Sequence, residues 1–298
     1  MHHLLYHAQC ADGFASAVIA RRALMLQNVA AEAISLQPVN YPDILQIPKN
    51  GTLNVDDHLY YLDYTPPQAT LDWLKLLKSS LAFKSLTIID HHGSAASRHE
   101  DAWFTSHFDL NNSGAGLTYE HFHRGIPRSI MLIAWRDLGH AFNHPEHPDS
   151  QAAFNLHAAL MRATQRTPEA WSPILFDQDL SAAIAIGQRL RQADANVIDA
   201  AALHPLWLDF PGQRIPAITG LGSEINSEAL SAVLHHHPEA PFAASWYVDA
   251  TTGLFIYSLR SRKGGPNVGE IAAIMAPKGG GHPCAAGFST PVPIPFAQ

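Results

Sequence analysis

Residues 85–89 (SLTII) form a short, apolar run rich in β-branched side chains that stops at once on Asp90-His91-His92. A run of that length and composition predicts a strand buried on both faces, as in a parallel sheet. An acid and two imidazoles are then left at the strand's carboxyl end, the edge of an open α/β sheet at which ligands bind. Consecutive ionisable groups are costly to desolvate without a partner, and a divalent cation is the simplest partner for Asp plus His. Taken alone, the tripeptide reads equally well as a solvated loop in a chain with 19 His residues.

The same ending recurs upstream. A short apolar segment runs over residues 3–7, turns at Asp12-Gly13, and is followed by Phe14, Ala17, Val18, Leu24 and Met25 at helical spacing. Residues 33–39 predict a second strand, punctuated by Pro38 and Pro42, and 58–62 a third, closed by Asp63 and the Pro66-Pro67 pair. Residues 70–81 predict a helix with Leu71, Leu74, Leu77 and Leu81 along one face. Strands alternating with amphipathic helices predict an α/β fold built on a doubly wound, mostly parallel sheet. Strand ends that carry His7 with Asp12, then Asp63, then Asp90-His91-His92 predict a metal site.

Further along, Asn111 to Gly114 suit a turn feeding a helix from Ala115, with Asp109 or Ser113 as its cap. Residues 129–135 are strand-like or helical and run into Arg136-Asp137, and 143–150 read as a loop. Residues 179–202 predict a long helix stopped by His204-Pro205. The expected division is therefore a first domain over 1–178, a helical connection over 179–208, and a smaller α/β domain over 209–298. Within the last, 215–220 predict a strand, 227–234 a helix leaving through a solvated His235-His236-His237, 246–248 and 254–259 a hairpin, and 268–275 a helix. Gly279-Gly280-Gly281-His282 then reads as a loop whose side-chain-free backbone can approach an anion, with Arg260 and His282 as further donors.

Composition bounds the function. Apolar residues make up 47% and charged ones 15% of 298 residues, enough for a sizeable core. A net charge of −7 with only 19 Lys plus Arg argues against a broad basic surface for duplex DNA, whereas a small phosphorylated substrate needs only a local cluster. Cys10 and Cys284 are too far apart in sequence to make a disulfide framework, and each reads as a small buried Cys. No apolar run is long enough for a transmembrane helix and the start lacks the pattern of a secretory signal, so a cytoplasmic protein without a membrane partner is expected.

His7 with Cys10-Ala11-Asp12-Gly13, then Asp63, then Asp90-His91-His92 resemble the successive motifs of the DHH phosphoesterase superfamily. The terminal SLRS (258–261) with GGGHPCAAGF (279–288) is similar to that superfamily's DHHA1 domain. The resemblance covers nearly the whole chain and implies a metal-dependent phosphoesterase, an oligoribonuclease-like or exopolyphosphatase-like member acting on short oligonucleotides or another small phosphoester. It implies Mn²⁺, with Mg²⁺ as an alternative, held by His7, Asp12 and Asp63 at one ion, with Asp63 bridging to a second ion at His91. Asp90 and His92 would act in catalysis, Asp90 by orienting an imidazole and His92 by contacting the phosphate or protonating the leaving group. Ser258, Arg260, Gly279, Gly280, Gly281 and His282 would bind substrate. Two departures stand out: Phe14 where many relatives carry a second Asp, and Trp135 where one branch carries an acid. Asp137 is then the nearby substitute, and the expectation is one firm metal site with a weak or substrate-completed second. A non-catalytic nucleotide-binding protein with a decayed second site is the competing expectation, and a homodimer is compatible with either.

Overall fold

The computed structural model describes all residues except 9, 41–47, 49–52, 101, 278 and 298. It divides into two units, Met1–Gly187 and Gln188–Gln298. The first contains β1 (His2–His7), α1 (Ala11–Leu26), β2 (Ile34–Val39), β3 (His58–Leu62), α2 (Gln68–Ser79), β4 (Ser85–Asp90), α3 (Ala96–His99), β5 (Thr105–Phe108), α4 (Gly114–Phe122), α5 (Arg128–Asp137), α6 (His140–Asn143), α7 (Pro148–Ala158) and α8 (Pro168–Leu175).

Alternation along the strands sorts this unit into two cores. Leu4, Tyr6, Tyr60, Leu62 and Ile89 pack with Phe14 and Val18 of α1, Leu117 of α4, Ile130 of α5 and Trp171 of α8. Their strand neighbours Leu5, Leu59, Tyr61, Leu86 and Ile88 face the other way and pack with Leu71 and Leu74 of α2. The sheet between them has the order β2-β1-β3-β4-β5, and every pairing is parallel. All five strands therefore end on one edge. β2 is an outer strand, which is why Pro38 is tolerated inside it, opposite Tyr6, instead of marking its end. Pro42 lies outside the described residues.

The helix α9 (Leu180–Leu203) contains the division between the units. The second unit continues with β6 (Leu206–Phe210), β7 (Gln213–Thr219), α10 (Ser223–His236), β8 (Phe242–Val248), β9 (Phe255–Ser261), α11 (Val268–Met275), β10 (Gly280–His282) and β11 (Ala285–Thr290). Its sheet runs β10-β11-β9-β8-β7-β6, antiparallel except where β7 meets β8. Leu208, Phe210, Phe242, Tyr257 and Phe288 pack with Val268 and Ala272 of α11 on one face. Ile218 and Ala243 pack with Leu230, Val233 and Leu234 of α10 on the other. Among the described residues no helix is long and apolar enough to cross a membrane.

Several segments differ from their sequence expectation. Residues 129–135 are helical, because Asp177 accepts hydrogen bonds from the Arg128 and Ser129 backbone N–H groups at 2.9 Å each and so starts α5. The expected loop over 143–150 already contains the start of α7, with Pro148 at its first position. The strand β6 begins inside the expected helical connection 179–208 and runs two residues past it. The expected glycine loop is the strand β10, paired in a tight antiparallel hairpin with β11.

Candidate metal centre

Each side chain of the expected centre is delivered by a strand end or a helix end. β1 terminates at His7, and the chain returns immediately into α1, which carries Asp12 in its first turn. Gly13 makes that return possible: a Cβ there would stand 2.3 Å from the His7 carbonyl oxygen. β3 terminates one residue before Asp63, whose N–H still donates to the Ile89 carbonyl at 2.8 Å. Asp63 then adopts a left-handed conformation, φ 55, which an Asp tolerates better than most residues. β4 terminates at Asp90, placing His91 and His92 on the same edge, and Asp137 is the last residue of α5.

These groups converge. His91 Nε2 lies 3.1 Å from Asp63 Oδ1, 3.4 Å from Asp137 Oδ2 and 3.6 Å from Asp12 Oδ2. His7 Nδ1 lies 3.4 Å from the other Asp63 oxygen. Donor atoms of His7, Cys10 and Asp63 all fall within 4.8 Å of one another, and so do those of Asp12, His91 and Asp137. Asp12 stands in the second of these groups, and the N-terminus of α4 grips it: Gly114 N–H donates to Asp12 Oδ2 at 2.6 Å and Ala115 N–H to Oδ1 at 2.9 Å. Phe14 is a core residue, 3% exposed and edge-on to Trp171 at 4.8 Å. Trp135 donates from its indole to Ser150 Oγ at 2.9 Å and sits between the rings of His140 and His147.

The electrostatics call for a cation. Both Asp63 oxygens and Asp137 Oδ2 are buried and accept no hydrogen bond among the described residues. Buried carboxylate oxygens left in that state cost several kcal/mol unless a positive charge compensates. Burial alone would raise the Asp63 carboxyl, but the imidazoles of His7, His91 and His92 outweigh it and hold it well below the usual range. Burial, together with the carboxylates of Asp63 and Asp137, pushes Asp12 well up. Burial opposes charge on His91, yet Asp63, Asp137 and Asp12 lift its ring to about 10. Three acids and two imidazoles converging in this way are a donor set that divalent cations fit.

Asp90 is occupied differently. Its Oδ1 accepts from the His91 and His92 backbone N–H groups at 2.7 and 3.2 Å and pairs with His92 Nδ1 at 2.7 Å, while Oδ2 accepts from Thr65 Oγ1 at 2.5 Å. Thr65 is in turn bonded to His99 Nε2, and His99 Nδ1 to Ser106 Oγ. Asp90 therefore fixes the His92 ring. Against burial, it also lifts that ring to about 9. Thr65 and His99 carried no signal in the sequence, since their role depends on a loop and a short helix meeting behind Asp90.

The remaining expected residues lie in the second unit. Ser258 and Arg260 alternate along β9, with Arg260 buried and its Nε donating to Ser231 Oγ of α10 at 3.1 Å. Gly279 lies against α11, where a Cβ would stand 1.9 Å from the Ala272 carbonyl oxygen, and Gly281 has φ 145. Two of the glycines thus serve the packing of the hairpin. Gly280 has open space around it, and His282 ends β10.

No family model matches this sequence, and no curated protein matches it. Solved structures similar to it include a pGpG-specific phosphodiesterase from Vibrio cholerae, with 13% identity, coverage of 97% of this chain and 93% of that one, and a TM-score of 0.45. They also include CDC45 from Entamoeba histolytica, with 8% identity, coverage of 88% and 84%, and a TM-score of 0.47. A putative family II inorganic pyrophosphatase from Methanococcus jannaschii has 10% identity, coverage of 98% and 95%, and a TM-score of 0.27. The chemistry rests on the site itself and not on these likenesses.

Proposed function

We propose that this chain is a divalent-cation-dependent phosphoester hydrolase of the DHH/DHHA1 type, acting on short oligonucleotides or a related small phosphorylated substrate. The observation that carries the reading is Asp63, 1% exposed, with His7 Nδ1 3.4 Å from one oxygen and His91 Nε2 3.1 Å from the other, so that it meets a member of each donor group, His7 with Cys10 and Asp12 with His91 and Asp137. Bound cations, of the Mn²⁺ or Mg²⁺ kind, would supply Lewis-acid polarisation and activation of water for in-line displacement at phosphorus.

The protein's own groups account for the rest. Asp63 orients itself through its left-handed backbone, and Asp12 through the N-terminus of α4. His92, held at Nδ1 by Asp90, would give a proton to a leaving oxygen from its other ring nitrogen.

The test is turnover of a panel of dinucleotides, short RNA, 3′-phosphoadenosine phosphate and polyphosphate with Mn²⁺ or Mg²⁺. The expected result is cation-dependent hydrolysis of at least one of them, lost in Asp63→Asn. Cation-independent turnover, or none with any member of the panel, would overturn the reading.

A further inference from the structure

We propose that Cys10 is a ligand of the centre, so that its two halves differ in kind: His7, Cys10 and Asp63 form a soft half for a thiophilic cation such as Zn²⁺ or Fe²⁺, and Asp12, His91 and Asp137 a hard half for Mn²⁺ or Mg²⁺. The inference rests on the metal reading above and adds to it the identity of the ion.

Cys10 occupies the N-cap of α1, with φ −110 and ψ 139. Ser, Thr, Asp and Asn are favoured there because their side chains accept from the first free N–H groups of the helix. Cys10 makes no such cap. Its sulfur lies instead within 4.8 Å of the donor atoms of His7 and Asp63, beside a carboxylate that is 1% exposed and accepts no hydrogen bond. Burial and the carboxylates of Asp63, Asp137 and Asp12 push the Cys10 thiol up, so a cation seated there would displace its proton on binding. Cys284 is a useful contrast: its sulfur is occupied with the Arg262 carbonyl at 3.7 Å, beside the β10–β11 hairpin.

Ligand softness decides what each half selects. Thiolate with imidazole suits Zn²⁺ and Fe²⁺, whereas a carboxylate-dominated set suits Mn²⁺ and Mg²⁺. One His, one Cys and one Asp give three protein ligands with room for a further one, the arrangement of a catalytic and not a closed structural zinc site. The expectation from the resemblance, Mn²⁺ with Mg²⁺ as an alternative, gives both ions the same hard-ligand character. The presence of Cys10 in one half removes that equivalence.

Cobalt(II) is the probe, because a cobalt–thiolate bond gives an intense charge-transfer absorption in the near ultraviolet that carboxylate and imidazole do not. The metal-free full chain is titrated with Co²⁺, and bound metal is counted separately by elemental analysis. Wild type and Cys284→Ala are expected to develop the band. Cys10→Ala and the size-conserving Cys10→Ser are expected to lose it while still taking up Co²⁺ in the hard half. Cys10→Asp is expected to lose the band and to shift preference in Zn²⁺/Mn²⁺ competition toward Mn²⁺. Cobalt bound to wild type without the band, or a band that survives in Cys10→Ser, would overturn the proposal while leaving the metal centre standing. Failure of wild type to bind any Co²⁺ would overturn both.

Discussion

Gly114 is the point at which a single methyl group should disable the centre without replacing a ligand. A Cβ there would stand 2.5 Å from Asp63 Cβ, 2.7 Å from Oδ1 and 2.9 Å from Cγ, whereas ordinary contact begins at 3.4 Å. Either Asp63 or the start of α4 must retreat by roughly 0.9 Å. If α4 moves, the 2.6 Å hydrogen bond from Gly114 N–H to Asp12 stretches to about 3.5 Å, the limit of such a bond. If Asp63 moves, the carboxylate that His7 and His91 both face is displaced. Overpacking of this kind costs about 1–3 kcal/mol of stability. A misplacement near 1 Å at a reacting centre costs about 10²-fold in rate, and a ligand that loses its support costs about 10- to 100-fold in metal affinity. Gly114→Ala is therefore expected to lower the urea midpoint and to weaken Mn²⁺ binding by calorimetry. Gly93→Ala, where the nearest atom to a new Cβ is Leu110 Cδ2 at 3.8 Å, is the matched control and should change neither. Wild-type metal affinity in Gly114→Ala, measured beside that control, would refute the reasoning.

Four other outcomes are expected. His91, lifted to about 10, is protonated at neutral pH without a cation, so metal uptake must expel that proton and affinity should rise about tenfold per pH unit for each proton displaced. Calorimetry in buffers of differing ionisation heat measures the release, and pH-independent uptake would contradict it. The raised values of His91 and His92 also stabilise the cation-free fold fully below pH 6.5, a contribution lost as pH rises through about 9 to 10, readable as a falling thermal midpoint. Asp177→Ala removes the acceptor for two N–H groups at the start of α5 and should cost about 1–2 kcal/mol in urea unfolding. In the second unit, Phe288→Ala empties a site stacked on Tyr257 at 5.0 Å and should cost about 3–5 kcal/mol, with no effect on cation binding to the first unit if the two are energetically independent.

The parts of the fold that local pattern specifies were legible in the sequence. β3 and β4 carry continuous apolar runs stopped by Asp63 and Asp90, and α11 matches its expected span residue for residue. Of the two candidate caps for α4, Ser113 fills the role and accepts from Gly116 N–H at 3.1 Å, while Asp109 closes a turn with Asn111. The elements that escaped depend on neighbours far away in sequence. β5, reading TSHF, is a strand only because β4 offers it a free edge, and β10 is glycine held extended by β11. The site divides in the same way. His7, Asp12, Asp63, His91 and Asp137 were legible as candidates, but the backbone donors that hold Asp12 were not, because the start of α4 lies about a hundred residues downstream. Cys10 was visible but weighed as a packing residue, and only its missing cap and its neighbours distinguish it.

His7, Asp63 and His91 leave three adjacent strands at one level, and parallel strands have no hairpin to fasten them at that rim. An ion seated among them would act as a rivet through neighbouring planks that are otherwise joined only by long returns through α1, α2 and the rest. Emptying the centre would then loosen the upper rim of the sheet while its floor, sandwiched between two cores, stays shut.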